Sequence, residues 1–425
     1  MKKTITSAGL VVLGAATLQA QRTVYAPAPG LSSTELAKPW SISASVRGFY
    51  DDNYATQPSH DAFGNKNPAK DDAYGFEVSP AAAFNWTLAQ TYLGLSYQYG
   101  LKWYDDRPGR DYDQMHQASG KLSHAFTERY KIDLSDTFVS AQEPELLEPF
   151  GAGRLRSEGD NIRNTANATF SADVTDQFGL VFGYTNNYYD YDQRGTGSYS
   201  ALLDRMEHLG SINARWQVIE STVAIFGYQY GVIDYNSPDL LSPLSTLKGE
   251  DRDSSSHYVY VGADHNFNSQ LQASVRVGAQ FTEYDKFDED TVTPYADASL
   301  TYRYNPESYA LFGVRHSRNA TDVASLSGGA PTLDQETTTL YGSVNHQITG
   351  KLSASALAQA QFSRFQAGSV DDEAELFFLS GVNLSYEINK YLAAEVGYNY
   401  DRLDSDIALR SYTRNRVYIG LRASY

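Results

Sequence analysis

The chain has 425 residues, a formal net charge of −17 and no cysteine. Acidity of that size repels polyanions and excludes a nucleic-acid binder, and the absent thiols exclude a disulfide scaffold and thiolate chemistry. Tyr is abundant, with 33 residues beside 19 Phe and 32 Gly. That suits a wall facing both lipid and water, because a Tyr ring is apolar and its hydroxyl reaches water.

In chain order, Lys2 and Lys3 precede an apolar stretch from Leu10 to Leu18, interrupted at Gly14, and a small residue, Ala20, before Gln21. This is the pattern of a secretory signal peptide over residues 1–20, too short to span a bilayer as a helix. Losing Lys2 and Lys3 takes the net charge from −17 to −19. Residues 21–39 are polar, contain Pro and have no period, and read as a periplasmic N-terminal extension.

From Trp40 to Tyr425 the period is two. Leu271, Ala273, Val275, Val277, Ala279 and Phe281 alternate with Gln272, Ser274, Arg276, Gly278, Gln280 and Thr282. One face is apolar and the other polar, the strand signature. The same alternation runs through Ile42 to Tyr50, Leu93 to Leu101, Phe178 to Tyr184, Ala224 to Tyr230, Ala296 to Tyr304 and Val382 to Ile388. It ends with Val417, Ile419, Leu421, Ala423 and Tyr425 against Arg416, Tyr418, Gly420, Arg422 and Ser424. Tallying such segments gives about 18 strands, each roughly long enough to cross a membrane at a tilt; one miscalled hairpin would make 16.

The connections alternate in length. Short ones include Phe126 to Arg129, Thr175 to Gln177, Asn268 to Gln270 and Asn389-Lys390. Long ones include Asp51 to Asp71, Ala141 to Asp160, Tyr235 to Ser255 and Ser317 to Asp334. Short turns on one side and long loops on the other mark an outer-membrane barrel. In lipid every backbone group must pair and no edge can remain, so the first strand must meet the last. The expected fold is therefore a closed antiparallel transmembrane β-barrel over residues 40–425. Asp51 to Asp71 and Ala141 to Asp160 are the loops expected to constrict it.

The run Val46-Arg47-Gly48-Phe49-Tyr50-Asp51-Asp52-Asn53 resembles the opening of outer-membrane porins of the beta-barrel porin 2 type. The resemblance implies a barrel with a porin-like or polysaccharide-linked role and supplies no catalytic residues. Tyr425 is similar to the terminal aromatic by which the insertion machinery recognises such barrels, although members usually end on Phe.

The polar rows place Arg47, Asp264, Arg276, Glu283, Asp297, Arg303, Arg315, Glu387, Glu395, Arg416 and Arg422 on the lumen wall. There they act as a charged constriction or pair with one another. Acidic loops such as Asp288-Glu289-Asp290 and Asp371-Asp372-Glu373 match no EF-hand spacing and read as solvated charge, bridged to lipopolysaccharide through divalent ions. The eight His have no ligand spacing, and Ser123 and His124, as neighbours on a strand, point to opposite faces. No enzyme, cofactor or metal site is therefore expected. The expected function is passive diffusion of small polar solutes, with a weak preference for cations from the overall acidity. The alternatives are a conduit for exported polysaccharide and a non-conducting adhesive barrel. The expected partners are outer-membrane lipid and lipopolysaccharide, the insertion machinery and further copies of the chain.

Overall fold

The computed structural model describes residues 38–61, 63–142, 160–243, 245–327 and 329–425. The expected signal peptide and nearly all of the expected extension lie outside them, as do residues 143–159 of the second expected constriction.

Eighteen strands form one closed antiparallel sheet. They are β1 (Trp40–Asp51), β2 (Ala73–Thr87), β3 (Thr91–Tyr104), β4 (Tyr112–Ala125), β5 (Tyr130–Ala141) and β6 (Asn161–Asp173). Next come β7 (Phe178–Tyr191), β8 (Arg205–Ile219), β9 (Thr222–Tyr235), β10 (Ser254–Asn266), β11 (Leu271–Tyr284) and β12 (Thr291–Asn305). The last are β13 (Ser308–Asn319), β14 (Asp334–Gln347), β15 (Leu352–Gln366), β16 (Ala374–Asn389), β17 (Leu392–Ser405) and β18 (Tyr412–Ser424). Each strand pairs with the next. β1 then pairs with β18 from Ser43↔Ser424 to Asp51↔Arg416, and Ile42 and Tyr425 exchange backbone hydrogen bonds of 3.3 and 2.9 Å. The closure demanded by lipid is thus met up to the final residue.

Within each ladder, apart from a one-residue shift at the turn end of three of them, the paired residue numbers have a constant sum, 124 for β1–β2 and 467 for β18–β1. Carried once round all eighteen ladders, any position returns to β1 displaced by 22 residues. With standard strand spacings this stagger sets a tilt of about 40° and a backbone radius of about 18 Å. Each residue then climbs about 2.5 Å along the barrel axis.

The two-residue period becomes two surfaces. Along β1, Trp40, Ile42 and Val46 are exposed outward while Ser41, Ser43, Ser45 and Arg47 are buried on the lumen side. A girdle of rings marks one rim, where Trp40 and Tyr391 both flank Tyr425, with centroids 5.5 and 5.9 Å away.

Four of the short turns at that rim share one device. Thr127 Oγ1 accepts from the N–H groups of Arg129 and Tyr130, and Thr175 Oγ1 accepts from Gln177 and Phe178. Asn268 Oδ1 and Thr349 Oγ1 repeat the pattern. A short hydroxyl or amide side chain replaces the ladder partners lost at the turn, which is why Thr or Asn recurs there. The opposite rim carries the longer connections: L1 (52–72), L2 (105–111), L3 (142–160), L4 (192–204), L5 (236–253), L6 (285–290), L7 (320–333), L8 (367–373) and L9 (406–411).

Candidate functional site: the lumen wall and its mouth

The lumen wall is built from alternate residues of all the strands, so charges distant in sequence converge. Arg47 Nη2 lies 2.7 Å from Glu395 Oε2, and Arg422 Nε lies 3.0 Å from Glu395 Oε1. Arg47 also stacks over Tyr418, 4.5 Å from its centroid, while the Tyr418 hydroxyl donates to Asn383. Room for this comes from glycine. Gly420 is the cross-strand partner of Arg47, and a Cβ there would meet Arg47 Cγ at 2.6 Å. Gly397 faces Tyr418 in the same way, and a Cβ there would sit 2.2 Å from the ring. Inward rings lying flat on cross-strand glycines fill wall space that no branched side chain could share.

A second network lies across β8 to β13. Asp264 Oδ1 takes Arg276 Nη2 at 2.8 Å and Asp264 Oδ2 faces Arg215 Nη2 at 3.6 Å. Arg276, Asp297 and Arg315 are successive cross-strand partners, so the register itself lays down alternating charge. Arg315 Nε donates to Asp297 Oδ2 at 2.7 Å. Both three-member networks, Arg47–Glu395–Arg422 and Arg276–Asp264–Arg215, hold two guanidinium groups on one carboxylate.

Of the residues placed on the lumen from sequence, Arg47, Glu395, Arg422, Asp264, Arg276, Asp297, Arg315 and Arg416 occupy inward rows of the wall. Arg303 and Glu387 keep inward parity but are exposed near the short-turn rim. Glu283 is a correction. It shares parity with Phe281, whose ring faces out, and is itself exposed, while Thr282 and Tyr284 beside it are buried inward. A period of two cannot put Arg276 and Glu283 on the same face. Arg215 was missed, although its alternation with outward Ile212 and Trp216 marks it as inward.

At the mouth, loops that sequence did not single out are tied to one another. Arg252 of L5, 1% exposed, donates to the carbonyls of Thr321 and Val323 in L7 and of Leu202 in L4. From the other side Arg410 of L9 reaches Asp322 of L7 at 3.2 Å and Glu375 at 2.5 Å. The tethers enter near β10 and β18, roughly 160° apart on an eighteen-strand circle. L7 is thus held from both sides by side chains of L5 and L9. At its base Gln280 pairs with both the N–H and the C=O of Arg318, and Arg318 binds Asp334 at 2.8 Å. L4 locks to L5 through Gly197 N–H on Leu240 O and through the hydroxyls of Ser200 and Ser237, 2.9 Å apart. L1, which was expected to constrict, packs Tyr54 and Ala55 against the inward-facing Phe49 and Tyr104.

Burial perturbs the carboxyls of this roof. Asp253, which accepts the Tyr235 N–H at 2.7 Å, is pushed up to about 6, chiefly by desolvation. Asp204, below L4, is raised by burial as well. Among the described residues no group of three or more His, Asp or Glu side chains is placed to hold a metal ion.

Comparison with known proteins starts from this wall. Residues 241–425 match the family described as "Putative beta-barrel porin 2". The matched stretch holds all of β10 to β18, half of the strands and most of the charged wall. The Val46-to-Asn53 run that suggested the resemblance lies outside it. The chain is a closed antiparallel eighteen-strand β-barrel whose C-terminal half is similar to that family. Solved structures with a similar fold include a BenF-like porin from Pseudomonas fluorescens Pf-5, at 10% identity and TM-score 0.46, covering 92% of this chain and 100% of that one. The outer membrane protein opdK from Pseudomonas aeruginosa gives 10% identity and TM-score 0.45, with 91% and 99% covered. The FrpB iron transporter from Neisseria meningitidis gives 10% and 0.45, with 92% and 83% covered. No curated protein matches the sequence.

Proposed function

We propose that this barrel is a non-catalytic channel for passive diffusion of small polar solutes, and that its wall favours anionic ones. The carrying observation is the pair of lumen networks in which two arginines share one carboxylate, Arg47–Glu395–Arg422 and Arg276–Asp264–Arg215. In each network two guanidinium groups meet one carboxylate, and on this reading the wall presents them to the passing solute. The overall acidity points to cations instead, but many of the clustered carboxylates, such as Asp288, Glu289 and Asp290, stand in outer loops where solvent screens them. The roof of L4, L5 and L7 supports a size limit on the solute. Tyr425, outward at the end of the closing strand, suits the role of assembly mark.

The test is the reversal potential of the reconstituted protein across a potassium chloride gradient. A shift toward the chloride potential, lost in R47Q/R422Q, is expected. A cation-selective current would overturn the wall reading, and a folded barrel with no current would overturn the channel.

A further inference from the structure

Seven of the eight histidines stand on strands, and all seven face outward, away from the lumen. Each carries its ring against a neighbouring hydroxyl. In the upper half Nδ1 of His116, His208 and His257 meets the phenols of Tyr97, Tyr184 and Tyr228 at 2.7–2.8 Å. At the short-turn rim Nδ1 of His124, His265 and His346 meets Thr91, Thr222 and Tyr304 at 2.7–2.9 Å. The seventh, His316, differs, since its Nε2 is taken by Glu336 at 3.1 Å.

The heights of these rings are not arbitrary. His116 and His124 are eight residues apart on β4, and so are His257 and His265 on β10. Eight residues correspond to about 20 Å along the axis at this tilt. Followed across the ladders with the tilt allowed for, His208 and His257 fall within about one residue of the height of His116, and His265 and His346 within about two of His124. The outward rows between the two levels are apolar: Val259, Val261 and Ala263 separate His257 from His265. Two rings of imidazole therefore bracket a band close to the height of an outer-membrane apolar belt, about 25 Å.

A Tyr or Thr hydroxyl can donate to Nδ1, and in that tautomer Nε2 carries the proton. At His208, Asn186 Nδ2 also lies 3.3 Å from Nδ1, which supports the same tautomer. Among the described residues Nε2 of these six histidines has no partner; His346 is exposed and the other five rings are half-buried, on the outward face of their strands. At the lower rim the ring is further fixed edge-on to a phenylalanine two residues on, His124 to Phe126 at 4.6 Å and His265 to Phe267 at 4.4 Å.

We infer that these two histidine rings are lipid-phosphate sites, in which a hydroxyl-oriented imidazole offers Nε2–H to the phosphate oxygens of the surrounding bilayer leaflet. Phosphate oxygens are strong acceptors at the edge of the apolar band, where an N–H left unpaired would be costly. The inference rests on the membrane-barrel reading and is independent of channel activity.

The test uses the full-length barrel with 15N-histidine, carrying H60Q to remove the one loop histidine, folded into phosphatidylglycerol bilayers. Folding is checked first by heat-modifiable migration on SDS gels. Failure there would count against the barrel itself. In the folded sample, 15N–31P dipolar recoupling is expected to dephase the protonated Nε2 signals. H116F/H208F/H257F is expected to remove the upper-ring share and leave the lower-ring share. H124Q, which retains a side-chain N–H at the rim, checks that any loss is local. Folded barrels whose Nε2 signals do not dephase, or dephase no more than mid-strand backbone amides, would overturn the proposal.

Discussion

Asp51 and Arg414 lie 363 residues apart in the chain, yet their side chains meet at 2.6 Å with essentially no exposure, joining the last residue of β1 to β18. This pair pins the upper end of the seam where the barrel closes. Removing one partner takes away the other's nearest counter-charge inside the wall, at a cost of up to about 3–5 kcal/mol, whereas replacing both with apolar groups is far milder. D51A or R414A should thus lower the midpoint of urea unfolding in vesicles sharply, and D51L/R414M should recover most of the loss. Equal losses in singles and double would show that the pair does not act as a unit.

The seam also depends on Tyr418 lying flat on Gly397. G397V should destabilise by about 1–3 kcal/mol through overpacking. Truncating the ring in Y418A should make the same valine nearly harmless. The double-mutant coupling, read from the same unfolding curves, checks whether the ring is the cause.

If L7 roofs the mouth, its tethers set the conductance. Arg410 holds Asp322 and Glu375, and R410A leaves both carboxylates without their cation. A larger and noisier single-channel conductance is expected, with folding intact by gel migration. Conductance identical to the parent protein would place L7 outside the path.

The roof should also respond to pH. Burial raises Asp253 from an ordinary 3.8 to about 6, so the packed loop favours the neutral acid. Its contribution to roof stability is fully present below pH 3.8 and is lost as the pH rises through about 6. Loop-opening noise should grow across that window, and D253N should flatten the dependence. An unchanged profile in D253N would exclude this carboxyl as the cause.

Much of the architecture was legible before any coordinates. Strict alternation in Leu271 to Thr282 and in Arg416 to Tyr425 assigns faces, because strand side chains alternate with no freedom to drift. The alternation of short and long connections gave the strand count and the closure. Where the reading failed, it broke its own period: Glu283 was placed inward against the parity of Phe281. The Thr and Asn residues closing the short turns were visible, but not their common role.

The sequence by itself determined a membrane wall with one apolar and one polar face, since that needs only local period and the demand of lipid for paired backbone. It could not decide which charges meet. Glu395 finds both Arg47 and Arg422, Arg252 and Arg410 both hold L7, and the histidines align in two rings only because the register and its 22-residue stagger are global properties of the closed sheet. Shifting one ladder by one residue would flip a whole strand's side chains to the other face, so these partnerships belong to the tertiary structure.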